Sequence, residues 1–378
     1  MTPRALLLVP ALLLVGCASG VSGDESPRAD VVADEVPQLV RPDGSYPTYP
    51  LEKPVIVVKV VQHETLNIQE TDDPQAGLEE NLSRMQYWVE KACREGKKPD
   101  FILFNEFPLT GYSSGARDEK LKYTIRIPGP ETERVGEMAR ACDSYIIFGS
   151  YARDPEWPGH ILSLNPVINR NGEVVHAYWK TRNATRYDSS GEIPTTTIEN
   201  VRDRFRARYG IESEFPVLQT EFGNIAVSTV QLDPLVFAAF AMRGTEIMFR
   251  TATGFSELDV RAIAFYNNFY TAMANMAVDP SLPYAERFGG GSLIAGPRGV
   301  VLAQEERNVE AIVEAEIPIA ELREGRLLPR YPMDMVSEIF GQFQQELPAN
   351  HLDLPPDKLP QTRQDMKDLL DSISRWLN

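Results

Sequence analysis

Residues 223–250, GNIAVSTVQLDPLVFAAFAMRGTEIMFR, are the stretch on which the reading of the fold depends. Residues 225–230 form a short β-rich run. Asp233-Pro234 ends it, because the proline ring fixes φ and removes a donor. Phe237, Phe240 and Ala241 then recur at helical spacing. Gly244 stops that helix before a second apolar run, residues 245–249. The sequence therefore predicts strand, sharp turn, helix, strand. A turn that leaves the carboxyl end of a buried strand and opens into a helix is where α/β enzymes place a nucleophile. No cysteine lies in this stretch, and near the turn only Ser228 and Thr229 offer a hydroxyl.

The same alternation extends outward. Residues 54–62 are a nearly continuous apolar run, which suits a strand buried on both faces. Residues 77–96 place Leu78, Leu82, Met85, Val89 and Ala92 on one helical stripe. Residues 100–105 and 145–150 read as further buried strands, with a helix between them that starts at Pro130. Asn171-Gly172 predicts a hairpin joining 162–169 to 174–179. Downstream, 258–277 carry a helix and then a strand. Residues 289–302 carry a hairpin around Pro297-Arg298-Gly299, and 309–317 alternate and close a sheet. Strands alternating with helices argue for an α/β layer structure.

The chain has 378 residues, 43% of them hydrophobic, with a net charge of −16. That supports a large core and makes nucleic acid and anionic membrane surfaces poor partners. Four histidines, three cysteines and no C-x-x-C or H-E-x-x-H give no basis for a built-in metal site. Residues 181–215 are polar and arginine-rich. The expectation is a solvated helix whose arginines pair with Glu199, Asp203 and Glu212, rather than an anion site.

At the N-terminus, Arg4 precedes an unbroken apolar run, 6–15, and then Gly16-Cys17-Ala18-Ser19. Such a core fits a signal peptide and is too short for a mature span. Leu14-Val15-Gly16-Cys17 resembles the bacterial lipobox, in which the cysteine is lipidated. The domain expectation is a signal peptide over 1–16 and a lipidated, disordered tether over 17–50. A main domain over 51–342 follows, then a Pro-rich segment with an amphipathic helix over 343–378, whose stripe runs from Met366 to Leu377. The expected location is the bacterial envelope, as a membrane lipoprotein on the periplasmic face of the outer membrane or on the cell surface.

Three residues at strand ends carry candidate chemistry. Glu106 follows the second strand, Lys180 ends the hairpin, and Ser228 opens the turn. A carboxylate base, an ammonium beside a developing oxyanion and a nucleophile suit acyl transfer. Residues 105–112, NEFPLTGY, resemble the glutamate motif of the carbon–nitrogen hydrolase (nitrilase) superfamily. Residues 172–180, GEVVHAYWK, are similar to its lysine motif, and 223–244 to its nucleophile segment. Residues 261–275 and 291–299 match later landmarks. Residues 241–250, with Asn267 and Asn268, resemble the aliphatic amidase and formamidase branch. The resemblance covers residues 54–342.

It implies a four-layer αββα sandwich, usually dimerised or further assembled into a homo-oligomer. It also implies amide or nitrile hydrolysis through a cysteine thioester, without a cofactor or metal. By position it makes Glu106 the general base and Lys180 the oxyanion-stabilising lysine. A second glutamate of the branch falls on Asp188, with Glu192 nearby. The nucleophile is where this chain departs. Counting forward from Gly223 reaches Val230. Counting back from Pro234 reaches Ser228, because the turn is shorter than the family's. Neither is a thiol. Cys93 and Cys142 lie elsewhere and are expected to be buried or paired structural cysteines.

Three readings follow. One is a degenerate member that binds a small amide-like or carboxylate ligand, or a partner, without hydrolysis. The second is an active amidase on small linear amides using Ser228 or Thr229. The third is a structural envelope protein. A serine hydroxyl is far less acidic than a thiol, and serine enzymes usually rely on a histidine base that no position here supplies.

Overall fold

The structure is a computed structural model that describes residues 44–112, 115–182, 195–281, 289–326, 328, 331–346, 354–362, 364–365, 368–369 and 372. All of them belong to one compact unit. Cys17, Asp188, Glu192 and most of the 366–377 stripe lie outside the described residues.

Strand β1 (Ile56–Gln62) is buried along its whole length. Val58 and Val60 face one core and Val61 another, as a strand covered on both sides requires. Helix α1 (Pro74–Arg94) starts where the Asp73 carboxylate accepts from the amides of Gln75 and Ala76, with Pro74 in its first turn. Then come β2 (Phe101–Leu103), a short α2 (Arg117–Lys122) and α3 (Pro130–Cys142). The expected third strand is two, β3 (Tyr145–Ile147) and β4 (Ser150–Ala152), separated at Phe148-Gly149. A Cβ on Gly149 would lie 2.4 Å from the Glu106 carbonyl oxygen, so the backbone there bends around Glu106. The predicted hairpin is β5 (Leu162–Ile168) against β6 (Val174–Trp179).

Residues 195–215 hold α4 (Arg202–Tyr209). The expected pairing with Glu199 is made by Arg182, whereas the paired arginines of α4 take other acids, Arg208 taking Glu156. Arg202 and Arg206 both clasp the buried Glu214, while Glu212 takes Arg243. The second half runs β7 (Leu218–Thr220), β8 (Gly223–Ser228), α5 (Pro234–Met242), β9 (Ile247–Thr251), α6 (Glu257–Asn267) and β10 (Tyr270–Ala274). Strand β8 stops at Ser228, two residues short of the expected end. The hairpin β11 (Ser292–Gly296)–β12 (Val300–Glu305) follows, and β13 (Ala311–Ile317) returns to pair antiparallel with β1. Helices α7 (Ile319–Gly325) and α8 (Met333–Glu346) follow, and α8 was not foreseen.

One sheet has the order β13-β1-β2-β3-β5-β4, with β6 on β5, and the other β12-β11-β10-β9-β8-β7. In each, three strands are parallel: β1, β2 and β3, and β8, β9 and β10. The two sheets meet in one core, where Phe101 packs on Phe222 and Phe249. Helices α1 and α3 cover the first sheet, and α6 packs on the second. The protein is an αββα sandwich. On its outer face Cys93 of α1 and Cys142 of α3 are joined by a disulfide with Cα atoms 5.8 Å apart.

Candidate active site

The carboxyl ends of the parallel strands in the two sheets converge. The Glu106 amide donates to the carbonyl of Ala252, one residue past β9, at 3.2 Å. The Thr251 hydroxyl donates to Asn165 of β5 at 2.6 Å, and the Tyr178 hydroxyl of β6 to the Ile225 carbonyl of β8 at 3.0 Å. These side chains tie sheet to sheet, so residues that end different strands share one place.

Glu106 follows a tight local turn in which the Asn105 Oδ1 accepts from the Phe107 amide at 2.9 Å. That leaves the Asn105 Nδ2 to donate to His63 Nδ1 at 3.2 Å. His63 is therefore neutral, with its hydrogen on Nε2. Burial first, and then the Arg84 charge, push its pKa down to about 3. Lys180, one residue past β6, brings its Nζ to 3.2 Å from Glu106 Oε1. The two side chains are 12% and 5% exposed, so they form a shielded ion pair. The general-base and lysine positions expected from sequence are thus brought together.

The turn after β8 is tied at several points. Ser228 Oγ accepts from the Val230 amide at 3.2 Å. The Val230 carbonyl accepts from Arg250 Nη2, and the same nitrogen lies 3.0 Å from Asp259 Oδ2. The other Asp259 oxygen accepts from the Leu232 amide at 3.0 Å, at a residue held at φ 60°. Arg250 is wholly buried, with its guanidinium 4.3 Å from the Phe237 ring centre and 5.2 Å from that of Phe255. Asp233, which opens α5, pairs with Arg182 at 3.0 Å, and that arginine also lies 3.7 Å from Glu199. Burial raises the Glu199 pKa despite the Arg182 charge.

Val230 itself is buried. Among the described residues no hydrogen bond joins Ser228 to Glu106, and the buried Thr229 hydroxyl has no partner. Sequence reasoning missed Arg250, Asp259, His63 and the Arg182–Asp233 pair. The arginine that ends the apolar run EIMFR was the one legible signal, since a charge there must find a partner.

The carbon–nitrogen hydrolase family model matches residues 58–327. The chain belongs to the carbon–nitrogen hydrolase family. It is 26% identical over 259 residues to the omega-amidase of Xenopus tropicalis, covering 65% of this chain and 86% of that one. It is 34% identical over 113 residues to the protein N-terminal amidase of Saccharomyces cerevisiae. That match spans 29% of this chain and only 24% of the yeast protein. Among solved structures, a carbon–nitrogen hydrolase of Helicobacter pylori superposes with a TM-score of 0.59 at 16% identity, covering 76% of this chain and 98% of that one. An amidase from Nesterenkonia sp. gives 0.52 at 18%, covering 78% and 98%. At these identities the likeness to solved structures establishes the fold. In a glutamate-to-glutamine mutant of the Nesterenkonia amidase the acetamide moiety of fluoroacetamide is covalently added at the active-site cysteine. In this chain the turn after β8 holds Ser228, Thr229 and Val230.

Proposed function

We propose that this carbon–nitrogen hydrolase relative binds a small amide or carboxylate at Glu106 and Lys180 and does not hydrolyse it. The observation that carries this reading is the tied turn. Val230 stands where counting from Gly223 puts the nucleophile, and both of its backbone polar groups are engaged. Lys180 can donate to a carbonyl or carboxylate oxygen, and Glu106 can accept from an amide N–H. Without a nucleophile in reach of a base, no acyl intermediate divides the reaction into two easier steps. Loss of such a group costs on the order of 10⁶ in turnover where the machinery acts as a unit.

The second reading, hydrolysis through a hydroxyl, rests on Thr229, whose buried Oγ1 lacks a partner among the described residues. Ser228 Oγ already accepts from the Val230 amide. The test is ammonia release from formamide, short aliphatic amides and nitriles. Wild type should match Glu106→Gln. Release that vanishes in Thr229→Ala or Ser228→Ala establishes the hydroxyl enzyme instead. Wild-type melting should rise with a short amide or carboxylate and stay flat in Lys180→Met.

We further propose that the domain works outside the cytoplasm on a lipid tether. The Cys93–Cys142 disulfide supports this, because such bonds persist in oxidising compartments. The lipobox-like run ending at Cys17 supports it independently.

A further inference from the structure

Two side chains of the first sheet meet beside the Glu106 turn. His63, one residue past β1, and Asn105, two past β2, are both wholly buried. The Glu106 amide donates to the Ala252 carbonyl at 3.2 Å, and the Asn105 carbonyl accepts from the Gly149 amide at 3.1 Å. Both of those partners are main chain. The Phe107 amide differs, because it donates to a side chain, the Asn105 Oδ1 at 2.9 Å. The path of the backbone through Glu106 therefore depends on which way round the Asn105 amide lies. Turned over, that amide would set its NH₂ against the Phe107 N–H, two donors with no acceptor between them.

His63 settles the orientation. Its Nδ1 lies 3.2 Å from the Asn105 Nδ2, whereas the Thr65 hydroxyl is 3.5 Å away, at the far limit of a hydrogen bond. The other ring nitrogen is a cost to the fold, since the Nε2 hydrogen is buried with no acceptor among the described residues. An apolar side chain would avoid that open donor and could still pack on the Phe104 ring, whose centre is 5.3 Å from that of the imidazole. What an apolar side chain could not supply is the acceptor facing Asn105.

We propose that His63 is a positioning residue for this site, its Nδ1 setting the Asn105 amide and the amide setting the backbone that carries Glu106. The inference rests on the reading of Glu106 and Lys180 as a ligand site, and the experiment separates the two. In the full-length protein, His63→Leu removes the acceptor, and His63→Asn restores one, because an asparagine Oδ1 stands where the histidine Nδ1 stood. Hydrogen exchange of the Phe107 amide reads the turn directly, with the β1 amides as the measure of global stability. Calorimetric titration with acetamide and with acetate reads the site. His63→Leu should speed Phe107 exchange about tenfold relative to β1 and weaken the ligand that wild type binds by about tenfold or more, the scale of one hydrogen bond to a charged group. Its melting temperature should stay near that of wild type, because one open buried donor, Nε2, is exchanged for another, the Asn105 Nδ2. His63→Asn should bring exchange and affinity back toward wild type. Equal Phe107 exchange in wild type and His63→Leu, faster exchange with unchanged affinity, or equal losses in His63→Leu and His63→Asn overturns the proposal. If wild type binds neither probe, the ligand reading fails and the exchange comparison alone decides the role of His63. Should His63→Leu fail to fold, His63→Met, unbranched and adaptable, takes its place.

Discussion

A buried arginine next to a turn must be matched by an anion or it unfolds the turn. Arg250 has Asp259, two aromatic rings and the Val230 carbonyl. Asp259→Ala leaves that guanidinium buried without its carboxylate and frees the Leu232 amide. The expected loss is roughly 3–5 kcal/mol in urea unfolding, the range for breaking a buried pair. A loss below about 1 kcal/mol, the worth of one ordinary hydrogen bond, would show that the rings and carbonyl suffice. His63 makes a prediction of the opposite kind. Its pKa is about 3 in the fold against 6.5 for an ordinary histidine, so the unfolded chain binds the extra proton between those values. Stability is then fully present above pH 6.5 and declines as pH falls through that window toward 3. The melting temperature of His63→Gln should fall less steeply than wild type over the same range. Parallel curves would mean that His63 is not the titrating group.

At the scale of elements, α1 and α3 cover the first sheet as two separate helices with a strand between them in sequence. The Cys93–Cys142 disulfide closes a loop over a sequence separation of 49 and restricts the unfolded chain accordingly. Removing it with Cys93→Ser and Cys142→Ser together should cost about 4 kcal/mol on the chain-entropy account of a loop this long. Denaturant midpoints of wild type with and without reductant provide the check, since reductant should bring wild type to the double variant. Unchanged midpoints would mean the helices are held by packing alone. The split of the third strand into β3 and β4 also belongs to this scale. At Gly149 the Glu106 backbone comes so close that a Cβ would not fit, so the main chain that carries the site's glutamate leaves room only for glycine there.

For the whole molecule, the two sheets are fused through one core, and residues 44–50, expected to belong to the tether, are held on the domain instead: the Tyr46 hydroxyl donates to Glu246, the Pro47 carbonyl accepts from Asn224 and the Tyr49 carbonyl from Arg323. If Cys17 is lipidated, wild type should partition into the detergent phase of a phase separation and Cys17→Ser into the aqueous phase. Wild type found in the aqueous phase would exclude the lipid anchor. Among the described residues no helix is long and apolar enough to cross a membrane.

The order of strands and helices was legible because apolar periodicity and turn residues are local. Residues 54–62 announced a doubly covered strand, Asn171-Gly172 a hairpin, and Asp233-Pro234 the start of α5. Glu106 and Lys180 were legible because each ends a strand, and the resemblance placed them together. Residues 74 apart in sequence become an ion pair only when β2 and β6 are laid in one sheet. The turn after β8 shows the limit from the other side. Its missing thiol was visible in sequence, but not which groups hold it, because Arg250 and Asp259 reach it from β9 and α6. Arg202 and Arg206 make the same point. Their need for a carboxylate was predictable, whereas the choice of Glu214 over Glu212 depended on which acid the chain buried next to α4. Sequence sets what each residue requires, and tertiary packing decides which partner meets the requirement, because desolvation makes that choice binding only once the groups leave water.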